Sequence, residues 1–345
     1  MSENRKKILV YGAGAIGSTV AGWLAENGED VTVLARGENA SAIKSNGLLI
    51  YRIRHKEESR PVAVKVITQM DEMPVPDIII LSVKNYDLED AAQDIRQHIT
   101  TKPLDITLQN GMENQKILPK YFEMIVYGVI CYNAWRDAPG VFGYRTRGTL
   151  LFWILDPSVK QELETLISRM LRPAFHCEIT DRLTDAVQCK IVLNLLNSVT
   201  ALIGQGVREI NDRELLRKIM MGILSEGIGV LQAAGVKEVR LGHIQSWKMV
   251  KLGTKLPSFI AQRIFEKNFK KAQMSSMAQD VLVMNKSTTE LDSINGYIVE
   301  LAKRVGFKAK LNQAIYEVAE SEFGKPDFQH LEVADLWGKM KERMR

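Results

Sequence analysis

The sequence predicts an α/β protein in two parts: an N-terminal doubly wound parallel sheet and a second, all-α C-terminal domain. Three observations carry this. Over the first part, short apolar runs alternate with helical spacing, the pattern of strands joined by crossover helices. One of these runs, residues 77–83, is apolar almost without a break, as a parallel strand covered on both faces must be. Beyond Thr180-Asp181 the strand-like stretches stop and a 3.6-residue period takes over. The expected division is therefore 1–180 and 181–345, with Thr180 placed to cap the first helix of the second part.

Taken in order, 7–11 reads as a strand and 15–27 as a helix that Gly28 terminates. A second strand follows at 31–35, closing one β-turn-α-β unit in about thirty residues. Strands are expected at 62–67, 77–83, 104–108 and 123–131, with helices at 88–99 and near 113–118. Residues 141–156 suggest a β-hairpin bent at Arg147-Gly148. The second part holds helical patterns at 182–203, 213–234, 243–252, 258–265, 289–305, 312–323 and 334–345.

Composition removes several function classes. The chain has 345 residues with 46% hydrophobic and 25% charged, which is ordinary globular usage and excludes disorder or a fibrous repeat. Net charge is +5. The basic runs, Arg52 to Lys56 and Lys267 to Lys271, are short, so no nucleic-acid partner is expected. Cys131, Cys177 and Cys189 are odd in number and form no CxxC pair, and the five histidines are scattered. That argues against a disulfide framework or a metal site and fits a reducing cytoplasm. No apolar run approaches the roughly 20 residues that span a bilayer, so no membrane partner is expected. The basic start followed by apolar residues looks superficially like a leader, but three glycines interrupt it and a helix pattern with Glu26 continues it.

The strongest motif is Gly12-Ala13-Gly14-Ala15-Ile16-Gly17. Its GxGxxG spacing follows a strand and opens a helix, the context that makes it a dinucleotide-binding turn of Rossmann type. Gly12 makes the bend, Gly14 admits the pyrophosphate to the backbone, and Gly17 lets helix and strand approach. The helix N-terminus then meets the anion. The end of the second strand, Thr32 to Gly37, lacks the acid that would hold a ribose 2′-hydroxyl. Arg36 stands there instead, suited to a 2′-phosphate and so to NADP(H). Lys84, at the carboxyl end of the 77–83 strand, is a second candidate cation, with a solvated loop lysine the nearly equal alternative. Asn110 also ends a strand. It is either one half of an ordinary Asn-Gly turn or a contact to nicotinamide or substrate.

In the segment from Lys190 to Ser198, Lys190, Asn194 and Asn197 share one helical face, with Ser198 at its edge. Such groups face a cleft or water, because burial without partners is costly. In a cleft, Lys190 would stabilise a developing alkoxide and deliver a proton. As a surface stripe it would do neither, and the residues alone leave the two readings level. Ser287-Thr288-Thr289-Glu290 fits a capping box with Ser287 as cap.

Taken together, these pieces resemble the ketopantoate reductase (2-dehydropantoate 2-reductase) family. The matching blocks are Gly12 to Gly17, Arg36, Leu81-Ser82-Val83-Lys84, Leu108 to Met112, Lys190 to Asn194, Ser275 to Asp280 and Thr289 to Gly296, in the family's order. The resemblance implies NADPH-dependent reduction of ketopantoate to pantoate, in pantothenate and coenzyme A synthesis, by hydride transfer to the 2-oxo group. It makes Lys190 the general acid and Glu290 the carboxylate at the substrate's hydroxyl end. Ser276 would help hold the substrate carboxylate, Asn110 and Asn194 would line the cleft, and Arg36 and Lys84 would read the 2′-phosphate. Ser198 stands where the family commonly has an asparagine, with Asn197 on a usable face beside it. The stretch from Ser276 to Glu290 is about two residues longer than usual. A relative reducing another 2-oxo acid, or an inert NADP-binding regulator, are the alternatives. A homodimer through the helical part is compatible with the pattern, and nothing in the sequence requires it.

Overall fold

The computed structural model describes residues 5–154, 160–241, 246–270, 272–325 and 327–345. The first four residues, 155–156, His243 and Lys271, on which parts of the sequence reading drew, lie outside the described residues. The chain forms two compact units, Met1–Leu183 and Thr184–Arg345.

The first unit begins with β1 (Lys7–Tyr11), α1 (Ala15–Glu26), β2 (Asp30–Leu34), α2 (Gly37–Asn46), β3 (Leu49–Arg52) and β4 (Lys65–Ile67). It continues with β5 (Ile78–Leu81), α3 (Leu88–His98), β6 (Leu104–Thr107), α4 (Asn114–Ile117) and β7 (Ile125–Ile130). Then come β8 (Ala134–Ala138), β9 (Val141–Tyr144), β10 (Gly148–Ile154), α5 (Lys160–Leu166), the short turn α6 (Arg172–Ala174) and β11 (His176–Ile179).

Eight strands form the main sheet in the order β11-β10-β7-β6-β5-β1-β2-β4. All described pairings in it are parallel except β10 with β7. The order reverses at β1 and β5, the switch point at whose carboxyl ends such sheets bind ligands. Register sets those ends level: Tyr11 lies opposite both Leu34 and Leu81, and Leu81 opposite Thr107. Hence Gly12, Arg36, Ser82 to Lys84 and Asn110 all emerge at one edge of the sheet.

The expected hairpin over 141–156 is not formed. β9 pairs with β3 and β8 in a separate three-stranded sheet, while β10 crosses to the main sheet beside β7. The hairpin joins β8 to β9 instead, where Gly140 (φ +74°) takes the bend. Trp23 of α1 is fully buried among Tyr132, Tyr144 and Phe175, with ring centroids 5.0 to 5.7 Å apart, so aromatic packing holds α1 down.

The second unit is helical throughout: α7 (Leu183–Asn194), α8 (Leu196–Leu202), α9 (Arg213–Ala233), α10 (Trp247–Lys255), α11 (Ser258–Phe269), α12 (Ser276–Ala278), α13 (Tyr297–Arg304), α14 (Lys310–Phe323) and α15 (Val333–Met344). The pattern over 182–203 suggested one helix; the structure breaks it at Leu195. α14 has no side-chain cap of its own. The Glu226 carboxylate of α9 accepts from Leu311 N–H at 2.8 Å and Asn312 N–H at 3.1 Å, placing an anion on the helix's positive end. Among the described residues, no helix is long and apolar enough to cross a membrane.

Candidate active site

The site residues fall in both units, and each set is built within its own. In the first unit, β1 delivers the chain into Gly12, whose φ of +111° a side chain rarely tolerates. Gly17 sits where a Cβ would lie 2.1 Å from Gly12 O and 2.2 Å from Ser82 Oγ. The Ser82 hydroxyl donates to Gly12 O at 2.8 Å, which locks the end of β5 to the bend. Gly14 differs: a Cβ there meets nothing within 4 Å. It is the N-cap of α1 yet supplies no side-chain cap, and the first turn carries no acid. Ala13, Gly14, Ala15 and Ile16 therefore present backbone and small or apolar side chains to an open space in front of a twelve-residue helix. That geometry and charge suit a pyrophosphate, so the residues present fit a bound dinucleotide.

Around this bend stands a shell the sequence reading missed. Asn39 of α2 is buried; its Nδ2 donates to Ala13 O at 2.8 Å and its Oδ1 accepts from Gly140 N–H at 2.8 Å. Gln109 is also buried and donates to Leu81 O at 3.1 Å and Val83 O at 3.3 Å, tying the ends of β5 and β6. Neither has a local sequence signature, since each acts on backbone more than twenty residues away.

Arg36 is exposed at the end of β2, as the N-cap residue of α2. No carboxylate occupies the strand end, since Leu34 and Ala35 precede it. Its guanidinium lies close to the Tyr11 hydroxyl, which donates to Asp94 at 2.5 Å. Burial, then Asp94, push the Tyr11 phenol above its ordinary range, and Arg36 acts against that shift. Lys84 is half-buried after β5. Asn110 is half-buried after β6, and its carbonyl accepts from the Asn85 amide. The strand ends thus gather Gly12 to Gly17, Arg36, Lys84 and Asn110.

In the second unit, Lys190, Asn194 and Asn197 are all half-buried. Lys190 and Asn194 lie one turn apart on α7, whereas Asn197 follows the break at Leu195. The break has a cause: Leu195 O accepts from Ser198 Oγ at 3.0 Å and from Asn295 Nδ2 at 3.3 Å. Side-chain donors that capture a helix carbonyl bend the helix. Ser198 is fully buried, and this bond gives it a structural task.

Two hydrogen bonds draw distant blocks to this break. Asn295 brings the segment after Glu290 across 100 residues. Thr200 Oγ1 and Ser275 Oγ, 2.8 Å apart, bring the start of α12 across 75. Ser275 caps α12 by accepting from Ala278 N–H at 3.1 Å, which leaves Ser276 exposed on its first turn. Glu290 is 94% buried, at 6% exposure. It is not the third residue of a capped helix. Thr289 Oγ1 accepts from Leu291 N–H at 3.2 Å, so the cap lies two residues after Ser287 and the capping box is not formed. Among the described residues no cluster of His, Cys, Asp or Glu could hold a metal ion.

Residues 8–155 match ketopantoate reductase PanE/ApbA, and residues 183–321 match its C-terminal part, ketopantoate reductase PanE/ApbA C terminal. The 2-dehydropantoate 2-reductase of Pyrococcus horikoshii is 27% identical over 317 residues, covering 91% of this chain and 97% of the relative. A PanE/ApbA family ketopantoate reductase from Ralstonia eutropha superposes with a TM-score of 0.72 at 25% identity, over 93% of this chain and 99% of its own. A D-mandelate dehydrogenase solved with NADH and anilino(oxo)acetate shares the fold, with a TM-score of 0.73 at 20% identity over 94% and 100%. Matched in order through both units, this chain belongs to the ketopantoate reductase family, pyridine-nucleotide oxidoreductases that act on a CH–OH/C=O group.

Proposed function

We propose that this protein reduces 2-dehydropantoate to pantoate with NADPH, with Lys190 as general acid. The observation that supports the proposal is the helix break at Leu195, next to Asn194 and little more than a turn from Lys190, to which the Thr200–Ser275 and Asn295–Leu195 bonds bring the Ser275-Ser276 and Glu290 to Gly296 segments. A cation, amides, an exposed hydroxyl and a buried carboxylate are the groups a hydroxylated 2-oxo acid needs. A bound NADPH would supply the hydride that the ketone carbon receives. The Lys190 ammonium supports the ketone oxygen as charge develops on it and gives it the proton that completes the alcohol. Glu290 accepts from the substrate's distal hydroxyl, and Ser276 donates to its carboxylate. Asn110, Asn194 and Asn197 orient the substrate. Gly12 to Gly17 hold the pyrophosphate, and Arg36 with Lys84 selects the 2′-phosphate.

A second reading has its own observation. Ser198, where the family commonly has an asparagine, is fully buried and gives its proton to Leu195 O. That favours a related 2-oxo acid of different shape. A panel of 2-oxo acids followed by NADPH oxidation separates the two. Ketopantoate should give the highest kcat/KM, well above pyruvate and 2-oxobutanoate; a different preferred acid replaces the first reading with the second.

A further inference from the structure

α11 turns polar residues toward α9, and α10 and α11 both leave large apolar side chains on the surface. The inward face of α11 is polar: Ser258, Gln262 and Glu266, each four residues on from the last, receive Arg217 and Arg213 of α9. Arg217 donates to Ser258 Oγ at 3.0 Å and Gln262 Oε1 at 2.8 Å, and Arg213 to Glu266 Oε2 at 2.9 Å. Val250 and Ala261 are buried, but several larger apolar residues point outward. Phe259 is 76% exposed and Met249 53%, with Leu252, Ile260 and Ile264 also largely open. A surface helix ordinarily turns its apolar stripe to the core, so this face lacks the partner that would cover it.

Charge identifies the partner. Residues 246–270 contain six basic residues, Lys248, Lys251, Lys255, Arg263, Lys267 and Lys270, against one acid, Glu266. Glu266 is itself engaged by Arg213 on the inner side. Lys248, Lys255, Arg263 and Lys267 make no ion pair with any described residue. The net charge of this short stretch, +5, equals that of the whole chain. A second copy meeting this face about a two-fold axis would set like charges against each other. A protein interface depletes lysine from its core, whereas here lysines interleave with Phe, Met, Leu and Ile. That mixture is what an interfacial helix presents to anionic headgroups.

We infer that the α10–α11 hairpin is a peripheral docking surface for an anionic lipid bilayer. The side chains of Phe259, Ile260 and Leu252 enter the headgroup boundary, and the lysines and Arg263 pair with lipid phosphates. The face lies on none of the residues assigned to cofactor or substrate, so the inference stands apart from the reaction.

The test is flotation of the full-length protein with phosphatidylcholine vesicles made with and without phosphatidylglycerol. The expected result is partitioning onto the anionic vesicles alone, reversed by added salt. Lys248→Ala with Lys255→Ala should weaken it about 30-fold, at roughly five-fold per lysine near the surface. Phe259→Ser with Ile260→Ser should weaken it at constant charge. These side chains are exposed, so thermal unfolding should be unchanged in both variants. No partitioning, or partitioning unaffected by loss of Phe259 and Ile260, overturns the inference. So does a dimer that Phe259→Ser dissociates, since a second copy would then cover the face.

Discussion

Asn39 holds the carbonyl of Ala13 at 2.8 Å from 26 residues away, and it does so while its other amide atom is fixed by Gly140 N–H. The glycine bend is therefore clamped from α2 and from the β8–β9 turn. Asn39→Ala strands a buried N–H and loosens the bend, and should cost about 1 to 3 kcal/mol of stability. Dinucleotide affinity should fall with it. Thermal unfolding and a fluorescence titration with NADPH check both; unchanged affinity would remove Asn39 from the clamp.

Gly17 and Gly14 make a paired experiment because their surroundings are opposite. Gly17→Ala drives a methyl into Gly12 O and Ser82 Oγ, and should destabilise the fold by about 1 to 3 kcal/mol. Gly14→Ala adds a methyl to open space at ordinary φ. It should leave stability within about 0.5 kcal/mol and impair dinucleotide binding, since the methyl stands where the pyrophosphate approaches. If Gly14→Ala binds NADPH normally, the anion does not lie against that helix end.

Arg36→Ala should separate the two nicotinamide dinucleotides. Loss of a charge-assisted contact to the 2′-phosphate should weaken NADPH by about ten-fold to a hundred-fold, with little change for NADH. Isothermal titration with each dinucleotide measures this. Equal weakening would place Arg36 away from the 2′-phosphate.

Asp105 of β6 makes stability depend on pH. Its carboxyl is buried, one of its oxygens has no hydrogen-bond partner, and burial raises it from 3.8 to about 8 against the opposing pull of Arg96. The folded state thus keeps a proton that the unfolded state releases above pH 4. Raising the pH from about 4 to 8 should therefore erode stability, by at most ~1.4 kcal/mol per pH unit. Asp105→Asn should flatten that slope. Denaturant midpoints across this range test it, and a slope retained in the variant would assign the effect to another group.

The parts of the fold legible in the sequence are those written locally. Lys7 to Gly28 carries strand, bend, helix and stop within one short stretch, and Ile78 to Leu81 declares its burial by composition. What escaped is non-local. β9 and β10 resemble a hairpin until each finds a different sheet, α2 is too polar to stand out and β3 too short. The break at Leu195 has no Pro or Gly to announce it; it arises from Ser198 and from Asn295, a hundred residues on. The same holds for the site. Gly12 to Gly17 and Arg36 could be read from spacing, but Asn39 and Gln109 reveal themselves only once their backbone partners are folded beside them.

Whether Lys190 protonates the ketone oxygen is decided by Lys190→Ala in single-turnover reduction of ketopantoate at saturating NADPH, with NADPH affinity measured in parallel. With Lys190 as the acid, the rate should fall by at least about a hundred-fold, the lower end of what a positioned general acid contributes, with NADPH bound as tightly as before. Turnover within a few-fold of the unaltered protein would contradict it.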